Sequence, residues 1–153
     1  MAAKSDSELV SNRAAYHHYE ILDKFETGIV LVGTEVKSLK ENGGSLQESY
    51  VKVEDGELWL VNAHIAPYKQ GGITLNHQER RQRKLLAHKR EILRLKALVA
   101  EKGFTLVALS IYLTKGKIKV LIAQAKGKRD YDKRQKIKSQ EVNRAIQKAL
   151  KEI

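Results

Sequence analysis

The stretch SYVKVEDGELWLVNAHI, residues 49–65, predicts the fold class of this chain of 153 residues. Apolar and polar side chains alternate on both sides of Asp55 and Gly56, as they do in strands with one buried face. Asp-Gly between two such runs is a strong β-hairpin signal, because these residues tolerate the positive φ angles of a tight turn. The stretch therefore predicts two antiparallel strands joined at Asp55-Gly56.

A second hairpin is predicted in FTLVALSIYLTKGKIKVLIAQA, residues 104–125. Its two β-rich runs meet at Lys115-Gly116. The later run places Ile118, Val120 and Ile122 on the side that would face a core, and alternates them with lysines and a leucine. Two hairpins in a chain of this length indicate a sheet-rich fold.

Shorter elements are expected before and between the hairpins. GIVLVG, residues 28–33, is a β-branched run bounded by glycines and predicts a buried strand. TEVKSLKENGG, residues 34–44, predicts a short helix that Thr34 caps and Asn42-Gly43-Gly44 ends. EILRLKALVAEKG, residues 91–103, predicts a longer helix that stops at its final glycine.

These elements together predict an α+β or mostly β fold, a small closed β-barrel of the oligonucleotide-binding type with flanking short helices. The predicted domains are a flexible N-terminus over residues 1–12, the barrel over residues 13–126 and a basic C-terminal tail over residues 127–153. A narrow apolar stripe among cations favours a tail that is disordered when free and helical on a phosphate-lined surface. Packing of that stripe on the barrel is the alternative.

Composition limits the classes of function. The chain has no cysteine, which excludes disulfides, thiol catalysis and thiolate-bound zinc. The N-terminus MAAKSDSELVSN has no apolar h-region, and no run approaches the roughly 20 apolar residues that span a bilayer. We expect a soluble, cytoplasmic protein with no membrane partner.

The excess of positive over negative charge lies in the second half of the chain. Residues 1–78 hold seven Lys/Arg and eleven Asp/Glu, whereas residues 79–153 hold 22 and seven. Within that half, AKGKRDYDKR, residues 125–134, places five cations around one tyrosine. An imbalance of this kind indicates a polyanionic partner such as nucleic acid, with a solvated, solubilising face as the alternative.

Four separated blocks of the chain resemble the SsrA-binding protein family, also called small protein B. The blocks are ETGIVLVGTEVKSL (26–39), SYVKVEDGELWLVNAHIAPY (49–68), RKLLAHKREI (83–92) and AKGKRDYDKR (125–134). The resemblance implies an adaptor that binds the tRNA-like domain of transfer-messenger RNA (tmRNA) and delivers it to stalled ribosomes for trans-translation. It also implies elongation factor Tu with GTP as an indirect partner on the same RNA.

The resemblance implies a set of tmRNA-binding residues on the barrel. Cations in this set can contact phosphates, Leu86 can cover an unstacked base or ribose, and Glu26 can accept hydrogen bonds from a base edge. A core position for Leu86 and an ordinary strand-end carboxylate for Glu26 are the alternatives. The residues implied by the resemblance are Asn12, Arg13, Glu26, Leu86 and Lys119. The cations Arg80, Arg81, Arg83 and Lys84 are added to them because they can contact phosphates.

The tail resembles the family's segment that enters the decoding centre and the vacant messenger channel of the small ribosomal subunit. Gly127 would let the chain leave the barrel without a Cβ clash, and Tyr131 would stack on an exposed base. The residues expected to contact ribosomal RNA are Gly127, Lys128, Arg129, Tyr131, Asp132, Lys133, Arg134, Lys136 and Lys138.

An enzymatic function is not predicted. The five histidines are scattered, and the sequence has no HExxH, Walker or GxSxG motif. His18 and Glu20 could face a metal ion together, but two ligands make a poor site. We therefore expect no catalytic residue, metal or cofactor. The alternative function is a general structured-RNA-binding protein or RNA chaperone that acts on ribosomal or transfer RNA, although aromatic residues, at 6%, are few for a stacking platform.

Overall fold

The computed structural model describes residues 7–72, 75–101 and 103–127, and over these residues the fold is mostly β with a few short helices. The elements follow the chain in this order: β1 (Ser7–Ser11), α1 (Arg13–His18), β2 (Tyr19–Ile29), α2 (Gly33–Lys40), β3 (Gly44–Ser45), β4 (Tyr50–Glu54), β5 (Glu57–Val61), β6 (His64–Ile65), a 3-10 turn (Lys69–Gly71), β7 (Arg83–Leu86), α3 (Lys89–Ala100), β8 (Phe104–Thr114) and β9 (Lys117–Gly127).

Seven of these strands form one sheet in the order β1-β8-β4-β5-β7-β2-β9, and β8 also pairs with β9. Every pairing in it is antiparallel. The short strands β3 and β6 form a separate two-stranded sheet. Antiparallel neighbours can be joined by tight turns, which is how a chain with two hairpins builds most of this sheet.

Both predicted hairpins are confirmed. Strands β4 and β5 meet at Asp55 and Gly56, with φ angles of 52° and 75°, and β8 and β9 meet at Lys115 and Gly116, with φ angles of 50° and 75°. Positive φ at both central residues is the requirement of the turn whose twist matches that of the flanking strands. Local turn chemistry therefore sets the register of both hairpins.

The core is divided by the sheet into a large and a small cluster. The large cluster includes Val120 and Ile122, as predicted, and receives Ile92 and Leu95 from α3. Ile118 is only partly buried against it. The small cluster lies under α1 and joins Ala15 to apolar residues of β8 and β9. The two helices thus cover different apolar surfaces and leave the outer side of β2 and β7 accessible.

The predicted buried strand over residues 28–33 is misplaced. Strand β2 begins at Tyr19 and ends at Ile29, and Val30 and Val32 beyond it are exposed. The strand starts early because it pairs with β9 from Tyr19 onward, with an irregular register between Ile21 and Lys24. That irregularity interrupts the alternation from which a strand is recognised in sequence.

The helix predicted after that strand is present as α2, but Thr34 does not cap it. The helix begins at Gly33, and the N–H of Val32 donates to Glu35 Oε1 at 2.9 Å. The Thr34 hydroxyl instead bonds His77 Nδ1 at 2.9 Å. The predicted end is confirmed, since α2 ends at Lys40 and the predicted stop signal, Asn42-Gly43-Gly44, follows directly after Glu41.

The prediction of a flexible segment over residues 1–12 is wrong for residues 7–12. Ser7–Ser11 form β1, which pairs with β8 and buries Val10. Asn12 follows it, and its N–H donates to Leu109 O at 2.8 Å. A polar composition concealed this strand, because Val10 is its only buried side chain and Leu9 is only partly buried against the core.

The tail predictions for residues 128–153 lie outside the described residues. Gly127 is described and is the last residue of β9, paired with Tyr19, so the predicted boundary between residues 126 and 127 is one residue too early. No described atom lies within 4 Å of the place where a Cβ on Gly127 would stand. A Cβ clash is therefore not the reason for glycine at this position.

In the described residues, no helix is long and apolar enough to cross a membrane.

Candidate RNA-binding surface

Strands β2, β7 and β9 and the start of α3 surround a concavity of about 650 Å³ on the accessible side of the sheet. It contains three residues that the sequence singled out, Glu26, Leu86 and Lys119, and it adds others that the sequence did not. The lining residues are Lys24, Phe25, Glu26, Gly28, Leu86, Ala87, His88, Glu91 and Lys119.

Gly28 forms the floor of the concavity. It pairs with Leu86 of β7 on one side and with Lys119 of β9 on the other. A Cβ on Gly28 would stand 3.2 Å from Leu86 Cβ, which is tighter than ordinary contact. The absence of a side chain therefore leaves bare backbone between an apolar group and a cation. A flat base or a ribose can approach closely at such a place.

Leu86 is half exposed, at 50%, whereas Leu85 beside it is 1% exposed and lies in the core. Successive side chains of a strand point to opposite faces, so β7 sends one leucine inward and the other into the concavity. This settles the alternatives for Leu86 in favour of an accessible position. An exposed leucine at the wall of a polar concavity can contact the apolar face of a nucleotide.

Glu26 is exposed and its carboxylate is held by a neighbour. The Tyr112 hydroxyl of β8 donates a hydrogen bond to Glu26 Oε2. Tyr112 also stands opposite Lys119 in the register of β8 and β9. The carboxylate is thus oriented beside the cation, and an oriented carboxylate is a better acceptor for a base edge than one that rotates freely.

Arg83 is the predicted site residue that the structure contradicts most clearly. It is fully buried, and its Nε donates to Glu35 Oε2 at 2.5 Å. An arginine has five N–H donors, and the other four here donate to backbone carbonyls. Those four bonds measure 2.9–3.4 Å and go to Ala63, Arg81, Gln78 and Glu79. Arg83 therefore has no donor left for a phosphate, and its role is structural.

The other predicted cations of this region are accessible but already bonded within the protein. Arg81 donates to Glu35 Oε1 at 2.6 Å, and Lys84 contacts Glu57 Oε1 at 3.0 Å. Arg80 donates to the backbone oxygen and the side-chain oxygen of Asn62, both at 3.2 Å. Phosphate contacts by these three residues stay predictions, and each would compete with a bond seen here.

Asn12 does not belong to an exposed RNA face. It is 7% exposed, and its side-chain amide donates to Ala108 O at 2.8 Å and to Leu46 O at 3.3 Å. The amide ties the end of β1 to the body of the sheet. Arg13 is exposed at the start of α1, but it does not line the concavity. The predicted N-terminal contacts are thus wrong for Asn12 and untested for Arg13.

Electrostatics around Glu35 keep its buried carboxylate charged. Burial by itself raises the pKa of Glu35, but hydrogen bonds from Arg81, the Val32 N–H and Arg83 lower it more, so that the pKa lies below its usual value. Burial also lowers the pKa of the Arg83 guanidinium, and Glu35 opposes that effect. Both groups therefore carry charge at neutral pH, and the pair closes the base of the loop that precedes β7.

This pair predicts acid-sensitive stability. Because the pKa of Glu35 is lowered in the folded state, its contribution is complete above the unfolded value of about 4.3 and is lost as the pH falls toward the folded value. Arg81→Gln removes the largest contact that lowers this pKa. We therefore expect urea unfolding from pH 5 to pH 3 to show a shallower loss of stability in Arg81→Gln than in the wild type. Parallel curves would contradict this assignment.

Sequence reasoning missed Gly28 and His88, which line the concavity, and Tyr112, which donates to Glu26 beside it. Their places depend on strand register and on where α3 starts. Among the described residues, no group of three or more His, Asp or Glu side chains is placed to hold a metal ion.

Comparison with known proteins places these features in a family. Residues 9–152 match the model of the family described as SmpB protein. The SsrA-binding protein of Protochlamydia amoebophila is 55% identical over 146 residues, which are 95% of each chain. That of Chlamydia trachomatis is 51% identical, over 94% of this chain and 95% of its own.

A solved structure adds an independent comparison. It is described by the words "tmRNA-SmpB: a journey to the center of the bacterial ribosome". Its chain is 50% identical and superposes with a TM-score of 0.66, over 77% of this chain and 82% of its own. The chain thus shares its fold and about half of the aligned residues with this solved structure. The chain belongs to the SmpB protein family.

Proposed function

We propose that this chain is a non-catalytic adaptor that binds the tRNA-like domain of tmRNA and brings it to stalled ribosomes for trans-translation. The observation that carries the proposal is the concavity in which Leu86 and Lys119 flank the bare backbone of Gly28. The relatives named SsrA-binding protein and the tmRNA-SmpB structure support the choice of RNA. The proposed place of action is the cytoplasm, where translation occurs.

The proposed chemistry uses one residue type for each part of a nucleotide. Lys119 neutralises a backbone phosphate, Leu86 covers a ribose or an unstacked base, and Glu26 accepts a hydrogen bond from a base edge. Gly28 lets the nucleotide approach the sheet. Such a site recognises an exposed nucleotide in a folded RNA better than it recognises a regular duplex, whose bases are stacked away from the protein.

We also propose that the main sheet closes into a barrel of the oligonucleotide-binding type. Strand β8 pairs with β4 and with β9, and the pairings from β4 through β5, β7 and β2 lead to β9. A path of pairings that returns to its starting strand supports closure. The proposed barrel domain extends from β1 to Gly127, slightly beyond the limits predicted from the sequence.

The ribosomal part of the function is assigned to residues 128–153. We propose that their cations contact small-subunit ribosomal RNA in the decoding centre and the empty messenger channel, with Tyr131 stacked on a base. Elongation factor Tu with GTP would join the complex through the same RNA. The net charge of the second half of the chain supports this assignment.

A binding measurement distinguishes this function from that of a general RNA-binding protein or chaperone. The full chain would be titrated with the tRNA-like domain of tmRNA at physiological salt, in excess bulk transfer RNA, with a duplex of equal length as control. Tight binding that survives the competitor is expected. Binding no tighter than that to the duplex would contradict the proposed adaptor and favour the general function.

Adjacent leucines of β7 provide a matched test of the concavity. Leu86→Ala removes an exposed side chain and is expected to weaken tmRNA binding roughly tenfold with little change in stability. Leu85→Ala is expected to lower the free energy of unfolding by about 2–5 kcal/mol, because it opens a cavity in the core. Filter binding and urea unfolding would be measured for both variants. Unchanged RNA affinity in Leu86→Ala would remove Leu86 from the site.

A further inference from the structure

Helix α3 presents a basic face to solvent beside the concavity. Ile92 and Leu95 are buried and direct one side of the helix to the core. Arg90, Leu93 and Arg94 lie on the opposite side, because residues three and four apart share a helix face. Leu93 is 64% exposed. The exposed cations of this basic face are Lys89, Arg90, Arg94 and Lys96.

These cations are less engaged than those of β7. In the part of the chain that the structure describes, Lys89, Arg90 and Lys96 form no ion pair. Arg94 stands 3.9 Å from Asp23, with both side chains more than 60% exposed, and such a pair contributes little. By contrast, Arg83 is fully occupied by protein acceptors. Charge available for a partner therefore lies on α3.

The basic face is continuous with the concavity. His88 and Glu91, at the start of α3, line the concavity directly. Arg94 lies over the ring of Phe25, another lining residue, at 5.7 Å from its centroid. A nucleic acid with one nucleotide in the concavity would thus have its neighbouring backbone close to the helix.

We propose that the exposed face of α3 binds the phosphate backbone of a base-paired RNA stem adjoining the nucleotide held in the concavity. This inference rests on the proposed function. Arginine suits the role, because its planar guanidinium can donate two parallel hydrogen bonds to one phosphate. A single exposed leucine among four cations is too small an apolar surface for a membrane or a protein groove, and it can pack against a ribose between phosphates.

Salt dependence of binding tests the inference. Each phosphate contact contributes about 0.7–0.9 to the slope of log affinity against log salt concentration. Arg90→Gln/Arg94→Gln removes two such contacts and is expected to lower that slope by about 1.4–1.8 and to weaken tmRNA binding about tenfold. Lys40→Gln/Lys69→Gln removes the same charge from exposed positions away from α3 and the concavity, and is expected to leave the slope near that of the wild type.

A cross-linking experiment locates the contact independently of charge. The chain has no cysteine, so one cysteine can carry a benzophenone probe at a chosen position. A probe at Leu93→Cys is expected to cross-link to a paired stem of the tRNA-like domain. The same probe at Lys40→Cys serves as the control and is expected to give no cross-link to that stem.

The outcomes separate this inference from the proposed function. A smaller slope in the α3 variant alone, with a stem cross-link from position 93, supports the inference. Equal slopes in the two double variants, with specific binding by the wild type, overturn it and leave the proposed function standing. Wild-type binding no tighter than that to a duplex contradicts the proposed function and removes the basis of the inference. Circular dichroism melting curves would confirm that each variant is folded.

Discussion

Replacing Glu35 by alanine is expected to lower the free energy of unfolding by about 3–5 kcal/mol, the usual cost of leaving a buried charge without its partner. Glu35 and Arg83 are both fully buried, and the Glu35 carboxylate also accepts from Arg81 and from the Val32 N–H. Without the carboxylate, the Arg83 Nε–H has no acceptor in the core. Urea unfolding at pH 7 would measure the loss.

Glu57→Ala is the matched control. Glu57 forms an ion pair with Lys84 at 3.0 Å, but both side chains are about 40% exposed. Water replaces the lost partner there, so the variant is expected to lose less than about 1 kcal/mol. A similar loss in the two variants would contradict a special structural role for the buried pair. Glu35→Gln should fall between them, since it keeps an acceptor oxygen but removes the charge.

The Glu35–Arg83 pair also shows where sequence reasoning fails. Arg83 stands in a run of cations and looks like its neighbours Arg80 and Arg81 in sequence. Its partner is 48 residues away, on a helix whose position depends on the whole sheet. The number of charged residues indicates the sign of the net charge on a surface, but it does not show which cation is buried. The physical cause lies in the tertiary structure. Alternation along β7 points the Arg83 side chain inward, and Glu35, which is distant in sequence, is its partner there.

Local signals were more reliable. The turns at Asp55-Gly56 and Lys115-Gly116 were predictable, because the φ angles of a tight turn select particular residues within two positions. Strand β2 was not, because an irregular register interrupts its pattern and most of its side chains lie outside the core. Strand β1 was missed for a related reason. Strands with few inward side chains carry little signal in sequence.

The candidate site was predictable in part. Family resemblance pointed to Glu26, Leu86 and Lys119, and the structure brings all three to one concavity. The resemblance did not identify Gly28 or Tyr112, whose positions follow from the pairing of β2 with β7 and of β8 with β9. A family resemblance can thus predict individual functional residues, whereas the surface that joins them can be described only once the pairing register of the strands is known.

Replacing Asp132, Lys133 and Arg134 by alanine is expected to abolish peptide tagging on stalled ribosomes while tmRNA binding stays nearly unchanged. The two functions are assigned to separate parts of the chain, the concavity and the tail. Loss of two charge-assisted contacts to ribosomal RNA would cost about 3–6 kcal/mol, or more than a hundredfold in the occupancy of that site. Tagging in a reconstituted translation system and binding to the isolated tRNA-like domain would both be measured.

The tail itself offers a control of equal charge. Lys148, Lys151 and Glu152 also comprise two cations and one acid, so their replacement by alanine changes net charge by the same amount. If the tail bound ribosomal RNA only through its net positive charge, both triple variants would lose tagging equally, because counterion release depends on charge and not on position. A defined site predicts loss in the first variant alone. Loss of tmRNA affinity comparable to that of Leu86→Ala would instead show that tail and concavity share one RNA surface, and would contradict the two-site assignment.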